Sequence, residues 1–257
     1  MKTHRALIWL GIFLVMGIGA SHAEPTEITV RVMAKDAKFI GTAVGGVEIS
    51  IEDATSGEVL AQGLTSGGTG NTPKIMTTPR TSRDMISDPE AASFSATIDI
   101  DAPRKISVNA IGPMQPGGAA VAASSTQWVV PGKNITGGDA WVLELRGFSV
   151  SLVEPPSSTI DLAANHNSIS LTAKVTMLCG CPIESGGMWD ADKIEVAANV
   201  SKDGGATKTV PLSFAGETNI FKGDLALTEP GSYAVDVYAY DPSNGNTGVT
   251  HLSFDAR

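Results

Sequence analysis

Residues 232–240 read SYAVDVYAY and residues 248–254 read GVTHLSF. Apolar and polar side chains alternate with a period of two, the spacing of a strand that buries one face, and not with the 3.6-residue period of a helix. Between the two runs, Asp241-Pro242-Ser243-Asn244-Gly245-Asn246 gathers residues that suit a hairpin turn. Working back from this hairpin, the same alternation runs through 219–227, 209–214, 193–200 (KIEVAANV) and 168–178 (SISLTAKVTML). It begins at 147–153 (GFSVSLV), which Glu154-Pro155-Pro156 closes. Seven such runs in about 110 residues are what a β-sandwich requires.

The upstream half repeats the pattern. Residues 26–34 (TEITVRVMA), 46–52 (GVEISIE), 94–100, 105–111 and 140–145 (AWVLEL) alternate in the same way. Turn signals separate them at Thr55-Ser56-Gly57, Gly67-Gly68-Thr69-Gly70-Asn71, Asp101-Ala102-Pro103 and Pro131-Gly132-Lys133-Asn134. The segment 67–90 is longer than a usual hairpin connection, which marks it as a functional or mobile loop. The fold class is therefore all-β, with two β-sandwich domains, 24–147 and 148–257, meeting near Gly147.

Residues 1–23 stand apart from this pattern. A basic start (Lys2, Arg5) precedes an apolar run of about 14 residues, and Ser21-His22-Ala23 supplies small residues at a cleavage site. The run is short for a bilayer span, which needs about 20 residues. The expectation is a signal peptide over 1–23, a periplasmic or secreted location, and no membrane span after cleavage. A retained anchor is the alternative. Without Lys2 and Arg5, 16 basic residues face 27 acidic ones, a net charge of −11. Such a surface repels phosphate backbones, so nucleic acid is not an expected partner. An envelope or extracellular protein is.

Two resemblances sharpen the fold. Residues 41–49 (GTAVGGVEI), followed by 56–60 (SGEVL) and Gly63-Leu64-Thr65, resemble the opening hairpins of transthyretin-like or carboxypeptidase-regulatory-like domains. Residues 231–241 with Gly245-Asn246-Thr247-Gly248 resemble the final hairpin of bacterial immunoglobulin-like repeats. They imply a transthyretin-like sandwich followed by an immunoglobulin-like one. Trp128, Trp141 and Trp189 are dispersed, as expected for core or rim packing rather than for a sugar-binding platform.

The only two cysteines lie two residues apart, in Met177-Leu178-Cys179-Gly180-Cys181-Pro182. On an extended strand both sulfurs would project to one side. Two thiolates suit a soft ion, and two cysteines are too few for a closed zinc site or an iron–sulfur cluster, which makes Cu(I) the best-matched metal. Cys179 and Cys181 are the candidate ligands, with Met177 and Met188 as candidate thioether helpers. The motif resembles the Cys-x-Cys strand of the copper chaperones of cytochrome oxidase assembly, which implies a copper-binding role on an immunoglobulin-like frame.

The other readings are a disulfide between the two, passive or redox-active, and pairing with a cysteine of another chain. An extended backbone holds residues i and i+2 about 6.5–7 Å apart, at the upper limit for a bridge, so the local disulfide demands a bend, which Gly180 and Pro182 favour. In that case the protein is a structural or protein-interaction module. Catalysis has little to stand on: His166 and His251 are the only histidines after the leader and form no zinc-hydrolase motif, and no G-x-S-x-G elbow is present. Asp190-Ala191-Asp192 and 241–246 are oxygen-rich, but neither matches an EF-hand loop. The function expected is non-enzymatic binding.

Overall fold

A computed structural model of the chain describes residues 22–115, 120–155 and 158–257. The expected leader lies, through residue 21, outside the described residues, as does Pro156. The first half contains β1 (Glu24–Ala34), β2 (Glu48–Asp53), β3 (Val59–Leu64), α1 (Thr72–Met76), β4 (Phe94–Ile100), β5 (Arg104–Gly112), β6 (Val121–Val129) and β7 (Trp141–Leu145). The second contains β8 (Phe148–Glu154), β9 (Thr159–Ile160), β10 (Ser168–Met177), β11 (Ile183–Glu184), β12 (Trp189–Asp190) and β13 (Glu195–Lys202). It continues with β14 (Lys208–Pro211), β15 (Ser213–Phe214), β16 (Ile220–Ala226), β17 (Gly231–Tyr240) and β18 (Thr247–Ala256).

Alternation becomes burial as expected. Ile28, Val30 and Val32 of β1 point inward, as do Tyr233, Val235, Val237 and Ala239 of β17. The strands form a sheet β4-β1-β7 against a sheet β3-β2-β5-β6, then β15-β16-β10-β8 against β14-β13-β17-β18-β9. A short parallel pair, β11-β12, stands apart. Among the described residues every ladder joins strands of the same half. The chain is thus all-β, its sheets packed in pairs, and most of the buried apolar side chains of both halves form one contiguous core.

Three elements depart from the sequence reading. The run 209–214 divides at buried Leu212: β14 pairs with β13, β15 pairs with β16, and the chain thereby passes from one sheet to the other. β6 lacks a strong alternating signal because it is an edge strand bonded only to β5, with most of its side chains exposed or half-buried. Trp128 on it is 67% exposed, whereas Trp141 is in the core and Trp189 is half-buried.

The segment 67–90 is built rather than open. It carries α1, capped by Asn71, whose side chain accepts from the Lys74 backbone amide. Ile75 and Ile86 pack with Phe39, Ala91 and Ala92 in a small core of their own.

The halves are joined by Arg146 and Gly147 alone. Gly147 has φ +122°, and a Cβ there would stand 2.4 Å from the Thr247 carbonyl oxygen, so the short link requires glycine. Its N–H donates to Asn246 Oδ1 at 3.1 Å, and Asn246 Nδ2 donates to the Lys35 carbonyl at 3.3 Å. The Trp189 indole donates to the Asp36 carbonyl at 3.0 Å, and Asn244 Nδ2 reaches Asp36 Oδ2 at 2.9 Å.

Candidate functional site

The two faces of β10 explain the site. Ile169, Leu171, Ala173, Val175 and Met177 enter the core, and Thr172, Lys174 and Thr176 line the outer face. On neighbouring β8, Ser149 and Ser151 sit opposite Thr176 and Lys174 and extend this polar face. The first half leans over one end of it, so that Ser149 and Thr176 are buried although they face away from their own core. The space between is a cleft of about 500 Å³.

Cys179 and Cys181 form one wall of that cleft. They are bonded to each other, with Cα atoms 5.4 Å apart. The bend this requires comes from a turn in which the Gly180 N–H donates to the Met177 carbonyl at 2.8 Å, with Gly180 at φ +75°. The cysteines therefore follow the strand instead of lying on it, and they stay buried with the core while bordering the cleft.

Met177, one residue before the turn, keeps its core orientation. With Met188 it lines a second recess, of about 310 Å³, beside Phe148, Trp189 and Asp190. The four sulfur-bearing residues are accordingly divided between two cavities: the cysteines in one, the methionines in the other. Met177 is buried and Met188 half exposed.

The remaining cleft walls mix polar and apolar side chains and were not evident in the sequence. Lys38, Thr69, Ala43, Val44 and Gln115 come from the first half, and Pro182 and Asn219 from the second. Gln115 Nε2 donates to Ser149 Oγ at 3.3 Å, closing one end. Asn219 Oδ1 accepts from the Ile183 N–H at 2.7 Å. The Lys38 ammonium donates to Thr72 Oγ1 at 2.9 Å, and burial pushes its pKa below the usual lysine value.

The acidic stretches read as weak cation sites serve the backbone. Asp190 accepts from the Gly186 and Asp192 amides and lies 3.5 Å from Lys193, and these contacts hold its carboxyl below the usual range. Among the described residues, no group of three or more His, Cys, Asp or Glu side chains could hold a metal ion. His251 is exposed on β18 and meets Asp236 at 2.6 Å.

Fold and site together define an all-β protein with a disulfide-walled cleft at the junction of two sheet pairs. No protein-family model matches the chain, and comparison with curated proteins finds no match either. Among the described residues, no helix is long and apolar enough to cross a membrane.

Proposed function

We propose that this chain is an exported, non-enzymatic binding module, a transthyretin-like sandwich followed by an immunoglobulin-like one, that holds its ligand or partner in the junction cleft. The observation that carries this reading is the Cys179–Cys181 bridge on the cleft wall. It occupies both thiolates that a soft metal would need. The methionines expected to complete a Cu(I) site lie in the other recess. Export agrees with a bridge, since oxidising compartments preserve disulfides.

Copper binding remains as a second reading for the reduced protein, because reduction would free two thiols on one wall of the cleft. Thiol titration, intact mass and elemental analysis of the purified protein, handled anaerobically, separate the two. The expected result is no titratable thiol, a mass two hydrogens below that of the reduced chain, and no stoichiometric copper. Two free thiols with bound copper, lost in Cys179→Ser or Cys181→Ser, would overturn the binding-module reading in favour of the metal site.

A further inference from the structure

The junction cleft inverts the charge of the molecule around it. Against a net charge of −11 for the chain after its leader, the cleft is lined by two lysines, Lys38, whose ammonium donates to Thr72 Oγ1, and Lys174, and by no acidic side chain among its described residues. Neither amine has a carboxylate within ion-pair distance among the described residues, as is also true of Lys74, Lys105, Lys133, Lys208 and Lys222, so what sets the pair apart is their place in the cleft and not their lack of a partner. The carboxylate further along the same sheet face, Glu154, accepts from Thr172 Oγ1 at 2.6 Å.

Resting on the reading of this cleft as the binding place, we infer that it takes a small oxyanion, a carboxylate or a phosphate, held by Lys38 and Lys174. Hydroxyl and amide donors at Ser151, Thr176 and Asn219 supply the hydrogen bonds that an oxyanion accepts. A volume of about 500 Å³ suits a small molecule, since ligand pockets span roughly 300–1,000 Å³. Lysines act as point charges without the planar fork of arginine, so the site selects negative charge and not one anion geometry. Burial disfavours the charged form of Lys38, and an anion beside it would favour that form.

The test is a set of amide chemical-shift titrations of the purified, oxidised protein with succinate, inorganic phosphate and, as the neutral counterpart of succinate, succinamide. Saturable shifts at Gln115, Thr176 and Asn219 with an anion are expected, and succinamide should produce none. Succinate stronger than phosphate assigns the site to carboxylates, and the reverse assigns it to phosphates. Lys38→Gln should weaken the anion by about tenfold, as expected for loss of one charge in a partly buried position, and Lys174→Gln, at an exposed one, by about threefold. Lys174 is exposed, so its variant should keep the native spectrum even if Lys38→Gln does not.

Three results would overturn the inference. One is the absence of saturable shifts with either anion up to about 10 mM, weaker than any affinity such a site should give. Another is anion binding undiminished in Lys174→Gln. The third is succinamide binding as tightly as succinate at the same residues, which removes the charge selection while leaving the cleft as a binding place. A Cu(I) site found by elemental analysis would instead remove the binding-module reading itself.

Discussion

The Cγ1 methyl of Val44 stands 2.7 Å from where a Cβ on Gly180 would be, so a side chain of the first half closes directly over the residue between the bridged cysteines. Gly180 is constrained twice, by this approach and by φ +75°. Gly180→Ala should cost about 1–2 kcal/mol for the left-handed backbone, with the methyl contact adding to it. Val44→Ala in the same chain should recover only the contact part, giving a favourable coupling in a double-mutant cycle read by denaturant unfolding. Strict additivity would show that the halves do not press together there.

Asn246 was legible only as a turn residue, yet it is 1% exposed and fastens the halves by accepting from Gly147 and donating to Lys35. Asn246→Ala leaves a buried N–H and a carbonyl without this partner, and the expected loss is about 2 kcal/mol. Because the bonds cross the junction, the variant should also broaden the distribution of shapes seen by small-angle scattering. An unchanged melting temperature and scattering profile would remove Asn246 as the fastening.

Alternation made the strands readable because half-burial leaves a period of two in the sequence, as in Ile28-Thr29-Val30-Arg31-Val32. β6 escaped because an exposed edge strand does not need that contrast. The cleft escaped for a different reason. Lys38, Gln115, Lys174 and Asn219 are far apart in the chain, and only the lean of one half over the outer face of β10 brings them together. Met177 is two residues from Cys179, but the turn between them sends the two side chains into different cavities.

Asp139 gives the segment 67–90 a dependence on pH. Burial favours its neutral form, but amide donation from Ser87 and Ile86, the Ser87 hydroxyl and nearby Lys74 outweigh burial and hold its carboxyl below the usual range. A carboxylate whose pKa is lower folded than unfolded contributes stability above the unfolded value, near 3.9, and loses it as pH falls through the folded one. The protection factors of the Ile86 and Ser87 amides, taken against the intrinsic exchange rate at each pH, should therefore fall on acidification before global unfolding. Asp139→Ala should produce the same local opening at neutral pH, weakening the segment by about 2 kcal/mol. Protection unaffected by both changes would mean that the small core around Phe39 holds the segment unaided.

The Cys179–Cys181 bridge should matter little to global stability, because it closes a ring of only three residues. In the chain-entropy account the stabilisation grows with loop length, and so short a ring gives about 1.5 kcal/mol, below the 2–4 kcal/mol of ordinary disulfides. Its position predicts a local effect instead. The bridge fixes the turn that holds Gly180 beneath Val44, so Cys179→Ser with Cys181→Ser should loosen the cleft wall while the sheets stay folded. The expected readout is a small fall in unfolding free energy together with faster amide exchange at Gly180. A loss of several kcal/mol would show that the bridge staples the fold as a whole, and an unchanged Gly180 would show that Val44 and the Met177 hydrogen bond suffice to keep the turn.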